Sequence, residues 1–333
     1  MTGIFNFEYS VFHNTNIIPE NQTRENNLFG LQCVHTGIED SYYNTCVMTV
    51  FELKLLALVC MIIDHIGAFL LEMPVQLRWI GRIAAPIFIF CLCEGIDHTR
   101  SKKKYVLRLY IAGVLMSFMQ MAISTSANIF RTLFHIAVIC IIIKMFDKDT
   151  LKARRYLCMY LLWQVITIAA ISYIWMKISQ SWVIRAVIPA ISGSLAFTEG
   201  GVPLVVFGIM LYLTKNNKRN LCIGFLVFDI VYAVLSLTQL TTLLLSIIQQ
   251  SSIGSPKLIH CIRLFFGELF GAFAPGRKTI NAFTRNYQWM MIASLPFMLT
   301  YNGKKGKSLK WFFYIFYPVH ILILWYIASS IAS

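Results

Sequence analysis

Two apolar stretches decide how this chain folds: LKLLALVCMIIDHIGAFLL at 53–71 and RWIGRIAAPIFIFCLCEG at 78–95. Each is close to the ~20 residues that a helix needs to cross a bilayer. Each also carries ionisable groups where hydrocarbon would surround them. Asp64 and His65 lie inside the first stretch, and the second opens on Arg78 and Arg82 and closes on Glu94. A charge at the bilayer centre costs at least ~2.5–3.5 kcal/mol on insertion scales, so membrane helices keep such groups mainly where they pair or act. Two adjacent spans that both carry them make a functional site the leading reading. The plainer one is an Asp–Arg pair that only locks two helices together.

The rest of the composition agrees with a membrane setting. Of 333 residues, 57% are hydrophobic and 13% charged, and the mean hydropathy is +0.65. A soluble domain carries about 25% charged residues. The apolar runs are continuous rather than alternating, which selects helices over a barrel. The fold class is therefore all-α, a polytopic transmembrane bundle. A net charge of +14 raises the question of nucleic acid. The basic residues, however, fall in short clusters between apolar runs, as positive-inside loops do, without interleaved stacking aromatics. No nucleic-acid partner is expected. Nine cysteines lie mostly within apolar segments, where a free thiol behaves as a small hydrophobe, and none has zinc-site spacing. Neither structural disulfides nor a metal is expected.

Residues 1–47 stand apart as a polar, Asn-rich extension. The sequon at Asn21 falls on the cytosolic side of the topology below, so it reads as chance. Translation from Met48 would place the first span a few residues in. The extension therefore reads as dispensable, or as an artefact of start-site assignment, ahead of a membrane domain at 48–333. Apolar segments follow at 51–71, 79–97, 106–123, 127–146 and 156–175. A Gly/Pro-interrupted passage at 182–214 is expected to cross once as a broken helix. Next come 221–239, an ambiguous stretch at 240–275, then 286–300 and 311–331. Basic clusters around Arg100–Arg108, Lys144–Arg155, Lys215–Arg219 and Lys304–Lys310 all fit the cytoplasmic side. That gives about nine to eleven crossings of the cytoplasmic (inner) membrane, with the N-terminus in the cytoplasm.

The polar groups then form a column through the bilayer. Consecutive helix residues point about 100° apart, so Asp64 does not orient the ring of His65 directly. His65 faces the cavity as general base, while Asp64 pairs with an arginine such as Arg82 or with a polar group on another helix. Glu94, His98, Arg100 and Lys102 to Lys104 end the second span. They read either as an ordinary snorkelling terminus or as an electropositive mouth meeting the phosphates of an anionic donor. Arg131 and His135 share one face of the fourth span and either line the same cavity or pair with neighbours. Near the end, Asn302-Gly303-Lys304-Lys305-Gly306-Lys307 forms a basic loop suited to approach a phosphate through backbone N–H groups, without Walker spacing. Tyr317-Pro318-Val319-His320 puts a Pro and a His inside the last span, as a packing kink or as part of the site.

The strings LKLLALVCMIIDHIG, IGRIAAPIFIFCLCEGIDHTRSKKKYVLRL and YNGKKGKSLKWFFYIFYPVHILIL occur in this order, and through them residues 48–331 resemble the TraX family of integral membrane proteins. The family's named activity is N-acetylation of F-type pilin during conjugation. The resemblance implies transfer of an acetyl or short acyl group from a cytosolic acetyl-CoA cosubstrate to an amine or hydroxyl acceptor, whether a pilin-like peptide, a glycan or a small molecule. It implies His65 as base, supported by Asp64 and Arg82. Glu94, His98 and Arg100 would line the donor side, and Asn302, Gly303 and Lys307 with Tyr317 and His320 would complete the site. Either His65 or His320 fits the role of base. Residues 1–47 fall outside the family pattern.

A proton-coupled transporter or flippase is the alternative, because intramembrane Asp, His and Arg also build proton relays and the broken passage is transporter-like. No internal repeat or second broken span accompanies it. A structural factor for secretion would not need Asp64 beside His65. For the extension, mass spectrometry of the native protein is expected to find no N-terminal peptide from 1–47. Finding one would exclude the start-site artefact.

Overall fold

The computed structural model describes residues 47–70, 72–177, 181–237, 283–284 and 287–332. Most of the extension (1–46) and the ambiguous passage at 240–275 lie outside the described residues. The described residues are mainly helical, with an isolated bridge between Met48 and Tyr301.

Helix α1 (Val50–Phe69) starts where the sequence carries Thr49-Val-Phe-Glu52. The Thr49 hydroxyl accepts the Glu52 N–H, and the Glu52 carboxylate accepts the Thr49 N–H at 2.6 Å, which is a capping box. Two more first-turn donors are met from the far end of the chain. The Val50 and Phe51 N–H groups donate to the carbonyls of Lys304 and Lys305 at 3.0 and 3.2 Å. The 301–307 loop is thus held against the start of α1 largely through its backbone, with Gly306 at φ +69° packed on Thr49. A short α2 (Gln76–Gly81) turns at Arg82–Ile83 into α3 (Ala84–His98). Then come α4 (Lys102–Ile123), α5 (Ile129–Phe146) and α6 (Thr150–Lys177).

The interrupted passage is broken, as the Gly and Pro content predicts. A π-turn (Val183–Val187) and α7 (Ile188–Ser192) stop at Gly193, and α8 (Gly201–Thr214) begins after an irregular stretch. Irregular backbone at membrane depth is tolerated only where protein satisfies it. Here Arg131 of α5 donates to three carbonyls of the break, those of Ser194, Ala196 and Phe197, at 2.9, 2.6 and 3.0 Å. Gln164 of α6 takes the Gly193 carbonyl and the Leu195 N–H, and the Thr132 hydroxyl takes the Glu199 carbonyl. Helix α9 (Lys218–Leu237) follows; a 3₁₀ segment (Tyr287–Ser294) leads into α10 (Leu295–Leu299), and α11 (Lys310–Ala332) ends the chain.

Among the described residues, five helical segments are long and apolar enough to cross a bilayer: Gln76–His98, Lys102–Ile123, Ile129–Phe146, Thr150–Trp175 and Trp311–Ile331. The chain is a multi-pass membrane protein. The stretch at 286–300 does not form the long helix its hydropathy predicts. It is a 3₁₀ segment and one short α-helix, with Pro296, which has no N–H to donate, at the start of the latter. The core lies between α1, α3, α5 and α8, where Leu53, Ala57, Ile87, Phe90, Ile136 and Phe207 are fully enclosed. Helices α6 and α11 instead leave much of their apolar surface outward, as a lipid-facing surface requires.

Replacing Arg131 with Met should cost at least about 3 kcal/mol, because three buried carbonyls lose their donor at ~1–3 kcal/mol each. Thermal unfolding in nanodiscs measures this. Arg131→Lys should recover only part, since a single ammonium lacks the planar fork that reaches several acceptors at once.

Candidate active site

Two helical stripes converge on a pair of histidines. On α1, Phe51, Lys54, Leu58 and Met61 recur every three or four residues and line one cavity. The next position on that stripe is His65. On α11, Phe313, Phe316 and Tyr317 line the same cavity, and His320 follows one turn later. His65 Nδ1 meets His320 Nε2 at 2.7 Å, with the rings stacked at 4.9 Å, and both residues are buried. The other ring nitrogen of His320, Nδ1, lies 2.9 Å from the Phe316 carbonyl. A carbonyl only accepts, so in the neutral pair this Nδ1 carries the proton and His320 Nε2 is an acceptor. His65 Nδ1 must then donate to it, which leaves the lone pair on His65 Nε2. This tautomer is assigned from the network.

Asp64, on the neighbouring face of α1, does pair with Arg82. Arg82 Nη2 reaches both carboxylate oxygens at 2.8 and 3.1 Å. Arg78 shares the load: its Nη1 contacts Asp64 Oδ2 at 3.0 Å and the Asp64 carbonyl at 2.9 Å. Gly81 makes this possible, because a Cβ there would overlap the Asp64 carboxyl group. Tyr287 and Gln288 of the 3₁₀ segment complete the cluster, Gln288 Oε1 accepting from Arg82 Nη1 at 2.7 Å.

The cavity has a volume of about 430 Å³. Its mouth is ringed by Lys54, Arg100, Lys104, Arg108, Lys305 and Lys307, with no acidic residue among the described lining. Deeper in, the walls are apolar and aromatic until Tyr317, whose ring stands edge-on to both histidines at 6.2 and 5.7 Å. Of the residues the sequence assigns to the donor side, Arg100 and Lys307 line this cavity. Glu94, His98, Asn302 and Gly303 do not. Glu94 Oε1 binds Lys215 at 2.9 Å, within a network in which Asp97 bridges Lys215 and Lys144. Burial alone would lower the Lys215 pKa, but hydrogen bonds to Asp97 and Glu94 and their attraction hold it above the ordinary lysine value. His98 Nδ1 lies 2.9 Å from the Glu94 carbonyl. The Asn302 side chain accepts the Lys304 N–H, and the Asn302 N–H donates to the Met48 carbonyl, so these two amides are engaged within the protein.

Arg131 is committed to the broken passage, and His135 Nδ1 meets the Tyr160 hydroxyl at 2.9 Å. Neither lines the cavity. Sequence reasoning missed Lys54 and Arg108 as cavity residues. The spacing from Lys54 through Leu58 and Met61 to His65 carried the signal for the first. It missed Glu199 altogether, since nothing local marks it.

A family model described as TraX protein matches residues 51–258 and 271–328. Over 69 residues the chain is 36% identical to "Probable fimbrial assembly protein FimC, serogroup H1" of Dichelobacter nodosus. That stretch is 20% of this chain and 28% of that protein, so the similarity spans less than a third of the relative's length. No solved structure matches the chain.

Gly81→Ala should separate Asp64 from Arg82 and destabilise the protein by about 1–3 kcal/mol, the usual cost of overpacking a filled contact. Unfolding midpoints of the variant and wild type in the same nanodiscs decide this. An unchanged midpoint would mean that α2 shifts without cost.

Proposed function

The chain belongs to the TraX family, and on that premise we propose that it is an integral membrane acyltransferase moving an acetyl group from acetyl-CoA to an amine or hydroxyl acceptor. One observation carries the reading: a cavity with six cations and no acid at its mouth ends beside a hydrogen-bonded histidine pair. Its volume falls within the about 300–1,000 Å³ of ligand sites. Lys54 to His65 spans ~16 Å along the helix axis. A pantetheine arm bridges a separation of that order, so phosphates at the mouth would leave the thioester near the histidines.

The chemistry follows from the tautomers. His65 Nε2 takes the proton of the acceptor amine or hydroxyl as its N or O attacks the thioester carbonyl. The new N–C or O–C bond forms, the C–S bond breaks, and the departing CoA thiolate recovers the proton from the imidazolium. His320 steadies that imidazolium through the 2.7 Å bond. Arg78, bound to the Asp64 carbonyl, holds the turn of α1 that carries His65. Apolar walls exclude water and strengthen each of these interactions. A pilin-like peptide is the acceptor that the family's activity and the fimbrial relative favour. The basic mouth, read with the positive-inside rule, supports a donor that binds from the cytoplasmic face of the inner membrane, with the N-terminus on that same side.

Acetyl-CoA should raise the unfolding temperature of protein in nanodiscs, and CoA should be released by acetyl transfer or slow hydrolysis. Arg100→Ala and Lys307→Ala are each expected to weaken acetyl-CoA binding about tenfold, the loss of one charge-assisted contact. His65→Ala should abolish turnover and keep binding. If acetyl-CoA neither stabilises the protein nor is consumed, the acyltransferase reading falls, and a proton-coupled transporter becomes the one to test.

A further inference from the structure

Glu199 sits in the irregular stretch between α7 and α8, and its carboxyl group reaches both the start of α5 and Tyr317 of α11. Its Oε2 accepts the backbone N–H of Asn128 at 2.7 Å. Asn128 is the cap residue of α5, and the amino end of a helix favours a negative charge. The Tyr317 hydroxyl donates to the same oxygen at 3.4 Å and accepts the Ile129 N–H at 3.3 Å. Tyr317 in turn forms the inner wall of the cavity and stands edge-on to both His65 and His320. On the other side, the Glu199 carbonyl is held by Thr132 at 2.6 Å, and the stretch before it is clamped by Arg131 and Gln164. A continuous line of contacts therefore runs from Arg131 through Glu199 and Tyr317 to the histidines.

That arrangement gives Glu199 a use that capping α5 alone does not require. A cap needs only the Asn128 contact. The additional bond to Tyr317 ties the ring that packs on the reacting pair to a stretch clamped by three side chains. The contact to Tyr317 is long for an O–H···O bond. Catalytic hydrogen bonds are often long in the empty state and tighten when substrate fills the site.

We propose that Glu199 is a positioning residue: its carboxylate, seated at the amino end of α5, fixes Tyr317 and through it the orientation of the His65–His320 pair. The proposal rests on the acyltransferase reading above. It assigns Glu199 no contact with the substrate.

The test compares Glu199→Ala, Glu199→Gln, Tyr317→Phe and the Glu199→Ala/Tyr317→Phe double variant in nanodiscs, reading CoA release and stabilisation by acetyl-CoA. Glu199→Ala should lower kcat by about ten- to hundredfold, the scale of a small misplacement of reacting groups. Its KM should stay within about twofold, because the cations at the mouth are untouched. Glu199→Gln should recover most of the rate, since its amide oxygen still accepts from both Asn128 and Tyr317. The double variant should be no slower than the slower single one. Equal rates for the Ala and Gln variants, multiplied losses in the double, or a KM rise matching the fall in kcat would each overturn the proposal. Should Glu199→Ala fail to fold, Glu199→Asp keeps the charge and shortens the reach. It is expected to be slower than Glu199→Gln, and the reverse order overturns the proposal. A wild type with no turnover removes the acyltransferase reading and this inference with it. An active wild type with the contrary pattern removes only the inference.

Discussion

Inside hydrocarbon, nothing but the protein itself can partner a charge or an unpaired backbone group, and much of this structure follows from that demand. Asp64 can occupy the middle of the bundle because Arg78 and Arg82 both reach it, and they reach it because Gly81 leaves room. The break between α7 and α8 is stable for the same reason. Arg131 gathers three of its carbonyls, and Gln164 closes the other side.

Charge is distributed unevenly around the cavity. Cations concentrate at the mouth, while His65 and His320, bonded to one another, lie beside Tyr317 of the inner wall. The arginines near His65 are engaged with Asp64. Beside the mouth, the Glu94–Lys215–Asp97–Lys144 network neutralises itself and stays out of the cavity wall.

Much was legible in the linear chain. Hydropathy gives the membrane class and most of the long helices, Thr49-Val-Phe-Glu52 gives the start of α1, and the Gly and Pro of 188–203 give the break. The cost of a buried charge singles out Asp64 with His65 and points to Arg82 as partner. His320 stands out as a histidine two residues after a proline in an apolar span. Each of these signals is local: a helical period, a cap or an isolated charge acts within a few residues of its position, so the sequence alone determined them. Contacts between distant segments were decided only by the tertiary structure. His65 and His320 lie 255 positions apart, and no local rule predicts that their nitrogens meet or which of them keeps the free lone pair. Glu94 looked like part of the mouth until Lys215, brought in by α8, claimed its carboxylate. Glu199 carried no signal at all, because its meaning comes from the amino end of α5 and from Tyr317. The physical reason is common to all three. Burial and pairing are properties of where helices pack against one another, and the packing of apolar faces is only loosely specified by the faces themselves.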